Sequence, residues 1–154
     1  INLNNILCGS EGTLGFINEA KLNLLTIPKC SALVIVKYSN FESSLRDATE
    51  LMKASPSSIE TIDSKVLNLA MQDFSWHTVE EFFENQQETP VQGINLVEYT
   101  GDSEEELQQK MEKLFEVLQA LLENGNNERM GYSVAMGADA VNRIWAMRKR
   151  AVGL

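Results

Sequence analysis

"SALVIVKYSNFESSLRDATELMKASP", residues 31–56, determines the fold class more firmly than any other stretch of the chain. Its first part, up to Ser39, is rich in β-branched residues and is typical of a strand in the middle of a sheet. Its second part repeats apolar residues at spacings of three and four, and Asn40 and Pro56 are suited to begin and end a helix. The stretch therefore predicts a strand followed by a crossover helix.

Strands and helices alternate on both sides of this stretch. Upstream, "FINEAKLNLLTIP" (16–28) alternates apolar and polar residues, which predicts a half-buried strand. Downstream, the patterns predict strands at 57–64, 91–101 and 132–136, and helices at 64–74, 103–124 and from 138 onward. The helix 103–124 begins with a Ser103/Glu106 capping box and has Gly125 at its end. We expect an α+β fold: a ferredoxin-like open antiparallel sheet with helices packed on one face.

Composition restricts the class of protein. The chain has 154 residues, of which 44% are hydrophobic, enough for one sizeable core. A net charge of -9 disfavours nucleic acid and anionic membranes as partners, and no apolar run approaches the ~20 residues of a transmembrane segment. Two cysteines and one histidine offer no metal site and favour a reducing cytoplasm. Because the chain begins at Ile1 and ends directly after a helix-like run, we expect a piece of a larger protein.

A glycine-rich loop opens the chain, "CGSEGTLGF" (8–16), with glycines at every third position. The spacing differs from the dinucleotide fingerprint G-x-G-x-x-G, and the lysine of a P-loop is missing. Glycines allow positive φ and close approach, and the hydroxyls of Ser10 and Thr13 add donors, so the loop suits a polar or anionic ligand. The same residues are typical of a plain turn. The spacing alone leaves both interpretations open.

The longer segment "GSEGTLGFINEAKLNL" (9–24) closely resembles the end of the FAD-binding domain in FAD-linked oxidases of the vanillyl-alcohol oxidase or PCMH type. The resemblance implies that residues 1–25 close an FAD-binding domain and that 26–154 form a substrate or cap domain, truncated at its C-terminus. It also implies a set of FAD-binding residues: Gly9, Ser10, Glu11, Gly12, Thr13, Gly15, Phe16 and Ile17. Glu11 belongs to the signature, but its carboxylate would be repelled by a phosphate and is expected to meet neutral donors.

A second motif, "IWAMRKRAVG" (144–153), resembles a family helix in which Trp is followed three residues later by Arg. The resemblance implies that Arg148 binds the carboxylate of the substrate. Trp145 and Arg148 lie nearly on one helix face, and a guanidinium matches a carboxylate in shape and charge. Alternatively, the basic run only complements the C-terminus of a helix. Lys149 and Val152 depart from the family pattern, so the motif leaves the identity of the hydroxy acid open.

The resemblance implies a function for the larger protein: an FAD-dependent oxidoreductase that moves a hydride from a 2-hydroxy acid, of the D-lactate, glycolate or D-2-hydroxyglutarate type, to flavin. FAD would bind the full-length protein and be absent from the isolated piece, which alone would be inactive. The resemblance implies that the metal and base motifs of the family lie beyond Leu154. It does not identify the electron acceptor, through which the protein would be held peripherally at the inner membrane. The ending "RKRAVGL" is most similar to a branch fused to an iron–sulfur region.

A second function class stays open at this point. The chain would then be a stand-alone α+β module for ligand sensing or protein interaction, without catalytic activity. His77 favours neither function, because a lone histidine among acidic residues is expected at the surface. The flanking gene sequence would separate the two functions.

Overall fold

The strand and helix predicted within residues 31–56 are both present in the computed structural model, which describes residues 2–85, 87–123 and 128–153. Asn40 caps the helix as predicted, because its side-chain oxygen accepts a hydrogen bond of 2.8 Å from the backbone N–H of Glu42. In chain order the elements are α1 (Asn4–Leu7), β1 (Cys30–Tyr38), α2 (Phe41–Leu51), β2 (Ser58–Asp63), α3 (Ser64–Gln72), β3 (Gly93–Gly101), α4 (Glu104–Glu123), β4 (Arg129–Met136) and α5 (Ala138–Gly153). Three short 3₁₀ turns lie at Met52–Ala54, Trp76–Thr78 and Glu80–Phe82.

The four strands form one antiparallel sheet in the order β2-β3-β1-β4. The central pair, β1 and β3, is in register from Cys30 opposite Gly101 to Tyr38 opposite Gly93. The second and fourth strands are at the edges of the sheet, and the first and third lie between them. The elements β1, α2, β2, β3, α4 and β4 therefore have the connectivity of a ferredoxin-like unit. The predicted α+β class and open antiparallel sheet are therefore confirmed.

Helices cover both faces of this sheet, which corrects the prediction that they pack on one face. Val34 and Val36 of β1 belong to one core, which they share with α2 and α4. Leu33 and Ile35, which point to the opposite face, belong to a second core with α3 and α5. Because successive side chains of a strand alternate between faces, a strand that is apolar throughout needs cover on both sides. The two helices beyond the ferredoxin-like unit provide that second cover.

The N-terminus of α4 has the predicted capping arrangement. The Ser103 hydroxyl accepts a hydrogen bond of 3.2 Å from the backbone N–H of Glu106. The Glu106 carboxylate reaches back and accepts one of 2.9 Å from the backbone N–H of Asp102. Gly125, predicted to end this helix, lies outside the described residues.

The strand predicted at residues 16–28 does not form. Residues 15–28 have no regular secondary structure, and residues 11–29 are all exposed. A strand needs a neighbour to satisfy its backbone groups, and no described part of the chain pairs with this segment. We call residues 11–29 the N-terminal arm. Its first bond to the sheet is from the backbone N–H of Lys29 to the carbonyl of Gly101, at 3.1 Å.

Candidate functional site

The glycine loop folds as a turn with three left-handed residues. Gly9, Glu11 and Gly12 have φ angles of +86°, +50° and +81°. Ser10 closes the turn, because its carbonyl accepts hydrogen bonds from the backbone N–H and the hydroxyl of Thr13, at 2.9 and 2.7 Å. The Thr13 hydroxyl, predicted as a ligand donor, is thus bonded within the loop.

Several backbone N–H groups of the loop are available, among them those at the three left-handed residues. Within the described chain, the N–H groups of Gly9, Glu11 and Gly12 donate to no acceptor. A Cβ built on Gly9 or Gly12 would meet nothing within 4 Å, so their surroundings are open. The loop therefore offers an accessible backbone edge of the kind that binds anionic or polar groups.

The remaining predicted FAD-binding residues extend along the exposed arm. Gly15 lies beside the side chain of Leu7, whereas Phe16 is 94% exposed and Ile17 is also exposed. Other apolar side chains of the arm are as uncovered, including Leu24 at 91%. Isolated exposed apolar residues are ordinary, but several large apolar side chains uncovered within one short segment indicate a surface that another part of a protein contacts.

Arg148 lies in the C-terminal half of α5, and its side chain reaches the outer strand β2. Its Nε donates a hydrogen bond to the carboxylate of Glu60 on that strand. The Arg148 side chain is 32% exposed and that of Glu60 is 29% exposed. Arg148 thus lies at the edge of the core, where its guanidinium is held and still reaches solvent.

Trp145 anchors the same helix face, as predicted. Its ring packs partly buried against the α3/α5 core, and its Nε1 donates a hydrogen bond of 3.2 Å to the carboxylate of Glu98 on β3. The second oxygen of Glu98 accepts one of 2.9 Å from the hydroxyl of Ser58, its partner across the strand pair. α5 is therefore attached to both β2 and β3.

Arg150, at the end of the basic run, has an acidic and an aromatic partner within the chain. Arg150 donates to Asp73 at 3.1 Å and stacks over the ring of Phe74 at 4.4 Å. Hydrogen bonds from the hydroxyl and backbone N–H of Ser75, together with Arg150, lower the pKa of Asp73 to about 2. Arg150 is consequently used in attaching α5 to the segment that follows α3.

The structure does not bring the two predicted sites together. No hydrogen bond or ion pair among the described residues joins residues 8–17 to Arg148. His77 is exposed, as predicted, and its Nδ1 lies 2.6 Å from the carbonyl oxygen of Phe74. The two predicted sites are therefore separate within the described chain.

Sequence reasoning missed a buried lysine. Lys37 is only 7% exposed and donates to the carbonyl of Glu84, at the edge of a cavity of about 360 Å³. Burial lowers the pKa of this ammonium group, while the Glu84 carboxylate opposes the shift. The available signal was the period of β1, because Lys37 follows Leu33 and Ile35 on the same face.

Sequence reasoning also missed a buried ion pair between α2 and β4. Arg129 donates from Nε and Nη2 to the two oxygens of Asp47, at 2.7 Å for the Nη2 bond, and from Nη1 to the carbonyl of Leu121 at 2.9 Å. The Asp47 hydrogen bonds raise the pKa of Arg129. Asp47 lies three residues after the buried Ser44 and four before Leu51, a core-facing position that should have marked it.

Two features are absent from the described ranges. Residues 2–85, 87–123 and 128–153 contain no cluster of three or more histidine, cysteine or acidic residues arranged to bind a metal ion. Within the same ranges, no helix has the length and apolar character needed to cross a membrane.

A family model and several individual proteins are similar to this chain. The model of the family "FAD linked oxidases, C-terminal domain" matches residues 27–154. The D-2-hydroxyglutarate dehydrogenase of Pseudomonas putida is 52% identical over 153 residues, which is 99% of this chain and 15% of that protein. That of Haemophilus influenzae is 45% identical over the same shares. The D-lactate dehydrogenase of Anaerostipes hadrus is 27% identical over 76% of this chain and 24% of that protein. The chain thus spans 15% of the length of the first two relatives.

Proposed function

Because this chain belongs to the FAD-linked oxidases, as part of their C-terminal domain, we propose that it is a piece of an FAD-dependent dehydrogenase. Its substrate would be D-2-hydroxyglutarate or a similar 2-hydroxy acid. The observation that carries the proposal is the 52% identity to a D-2-hydroxyglutarate dehydrogenase over 99% of the chain. The more distant D-lactate dehydrogenase also carries the name of a 2-hydroxy acid enzyme. A stand-alone interaction module would give no reason for either similarity.

We further propose that residues 1–25 end the FAD-binding domain and that residues 26–154 belong to the substrate domain. The family match begins at residue 27, close to this division. The uncovered apolar side chains of the N-terminal arm support it, because the remainder of an FAD-binding domain would cover them. In this proposal the arm crosses from one domain to the other.

The glycine loop fits a flavin nucleotide. Its free backbone N–H groups at Gly9, Glu11 and Gly12 and the open space around both glycines suit phosphate or polar groups at close approach. Gly9, Ser10, Gly12, Thr13 and Gly15 would hold the cofactor, with Phe16 and Ile17 beside it. Glu11 would meet hydroxyl groups, because its negative charge opposes a phosphate.

Arg148 would bind the substrate through its carboxylate. When bound, FAD supplies the acceptor for the hydride that leaves C2 of the hydroxy acid, and loss of the hydroxyl proton completes the 2-oxo acid product. The planar guanidinium of Arg148 binds the neighbouring carboxylate by two parallel hydrogen bonds, and this contact fixes the orientation of C2. Trp145 supports the contact by keeping α5 attached to the sheet.

We also propose a cytoplasmic location, with contact to the inner membrane only through the electron acceptor. Both cysteines are free in the structure, Cys8 exposed and Cys30 partly buried. Free cysteines are typical of proteins from reducing compartments.

Anaerobic reduction of the flavin tests the proposed function. The full-length protein that carries this chain is expected to purify with FAD, and D-2-hydroxyglutarate is expected to bleach the flavin spectrum. D-lactate and glycolate serve as parallel substrates that test the choice among hydroxy acids. A full-length protein without flavin, or a flavin that none of the three acids reduces, would refute the proposal and favour the interaction module.

A further inference from the structure

Two carboxylates from neighbouring strands hold the face of α5 that carries Arg148. Glu60 of β2 and Glu98 of β3 lie on the same side of the sheet, because Ser58 pairs with Glu98 and Glu60 is two residues further along its strand. Glu98 accepts from Trp145, and Glu60 accepts from Arg148. We call Glu60 and Glu98 the acidic clamp. Trp145 and Arg148 are three residues apart, so the two carboxylates of the acidic clamp contact one side of the helix at successive turns.

The contact with Glu60 leaves the two terminal amino groups of Arg148 without an acceptor in the described chain. It uses Nε, at the base of the guanidinium, and neither Nη1 nor Nη2 donates to any acceptor within the described ranges. Those two terminal groups form the end of the fork that binds a carboxylate with two parallel hydrogen bonds. The side chain is one-third exposed, so an anion can reach them.

Arg150 shows what an arginine of this helix does when it has only a packing role. Both its Nε and its Nη2 donate to the same oxygen of Asp73, and the guanidinium stacks on Phe74. The two arginines are two residues apart on one helix, and each has an acidic partner. Only Arg148 keeps both terminal amino groups unused.

We propose that Glu60 is a positioning residue: by accepting a hydrogen bond from Nε of Arg148, it directs Nη1 and Nη2 toward the carboxylate of the substrate. The inference rests on the proposed function of Arg148 and adds the residue that orients it. A partly exposed ion pair contributes little to folding stability, so the contact acts mainly through orientation. Arginine has a flexible side chain, and a restraint at Nε fixes the plane of the fork before the substrate arrives.

The proposal separates the hydrogen-bond acceptor from the charge of Glu60. A glutamine at this position keeps an oxygen at the same reach and loses the charge. An aspartate keeps the charge and withdraws the oxygen by one methylene. If orientation is the function, Glu60→Gln is tolerated and Glu60→Asp is impaired; if charge is the function, the order is reversed.

The test measures kcat and KM for D-2-hydroxyglutarate in the full-length enzyme carrying Glu60→Leu, Glu60→Asp or Glu60→Gln. We expect Glu60→Leu to lower kcat/KM by about 10- to 100-fold, mainly by raising KM, because a misplacement of about 1 Å at a binding group has effects of that size. Glu60→Asp is expected to lose about 10-fold on the same grounds. Glu60→Gln is expected to stay within about threefold of the wild type, because its oxygen still accepts from Nε.

Two further variants make the outcomes distinguishable. Glu81→Leu removes a carboxylate that lies near another arginine of α5, Arg143, and is expected to leave KM unchanged. Arg148→Leu is the reference for the proposed function.

If Arg148→Leu is strongly impaired and all Glu60 variants match the wild type, the positioning role is refuted and the proposed function stands. If Arg148→Leu itself matches the wild type, the proposed function of Arg148 fails. If Glu60→Asp is active and Glu60→Gln is not, the charge of Glu60 matters and the orientation proposal is wrong. Should Glu60→Leu not fold, the Asp and Gln pair still decides.

Discussion

The two motifs of this chain lie in regions of opposite character. Arg148 and Trp145 are on a helix that packs on the sheet and is held by side chains from two strands. The glycine loop and the N-terminal arm contribute nothing to either core, and the apolar side chains of the arm face solvent. The proposed substrate motif is therefore held by contacts within the chain, whereas the proposed cofactor motif has no such contacts among the described residues.

This difference shows that a recognisable motif and a formed site are separate properties. Packing fixes the position of Arg148, because its helix cannot move without disturbing Ile144 and Met147 in the core. The loop keeps only the geometry that its own turn bonds and left-handed residues impose.

Equal truncations in the two regions should have very different effects on stability. Leu96 is fully buried beside α5, so Leu96→Ala is expected to lower the free energy of unfolding by about 2–5 kcal/mol. Leu24→Ala in the arm is expected to change it by less than about 0.5 kcal/mol. Urea unfolding of this chain measures both values. A comparable loss in Leu24→Ala would show that the arm is packed, and the contrast between the regions would be wrong.

The loop should be sensitive at the level of cofactor binding. Gly12 has a φ of +81°, a conformation that costs a residue with a side chain roughly 1–2 kcal/mol. We therefore expect Gly12→Ala to weaken FAD binding to the full-length apoprotein by about 5- to 30-fold, with no comparable change in its thermal unfolding midpoint. Flavin fluorescence titration gives the affinity. Gly153→Ala, at a glycine without positive φ and with open surroundings, is the control. Unchanged FAD affinity in Gly12→Ala would remove the loop from the cofactor site.

The smallest effect concerns Lys37, which ties the irregular segment after α3 to the sheet. Burial lowers its pKa below 10.5, so the unfolded chain binds the proton more tightly than the folded one. The unfolded state then carries more protons in the window between the lowered pKa and 10.5, and this group adds stability as the pH rises through that window. Relative to Lys37→Met, the wild type is therefore expected to gain stability with increasing pH. Tyr99, whose pKa burial raises to about 12, contributes equally to both proteins and cancels in the difference. Parallel pH profiles of unfolding free energy would contradict a charged, buried Lys37.

The sequence predicts the elements that need only local information. The strand and helix within 31–56 and the capped α4 follow from periodicity and end signals, and they are present. The segment 16–28 has an equally good strand pattern, but a strand also requires a neighbour, which its own residues cannot reveal. The prediction of helices on one face is wrong because β1 is a central strand with apolar side chains on both faces. Each of these faces needs a layer of helices.

The site could be predicted only in part for a similar reason. Arg148 is proposed as a site residue through a short local motif that resembles a family helix. Its partner Glu60 is 88 residues away along the chain, and Glu98 is 47 residues from Trp145. No local pattern joins such pairs. Only the folded sheet shows which carboxylates meet the helix.

A comparison of Arg148 with Arg150, two of the three arginines of α5, gives the most direct test of the difference between the two regions. In the full-length enzyme, Arg148→Leu is expected to lower kcat/KM for D-2-hydroxyglutarate by about 100- to 10,000-fold, because it removes two charge-assisted hydrogen bonds of about 1.5–3 kcal/mol each. Its FAD content is expected to stay unchanged. Arg150→Leu, which removes the neighbouring arginine, is expected to remain within about threefold of the wild type. An Arg148→Leu enzyme with normal kcat/KM, or an equal loss in both variants, would contradict the assignment of α5 as the substrate-binding element.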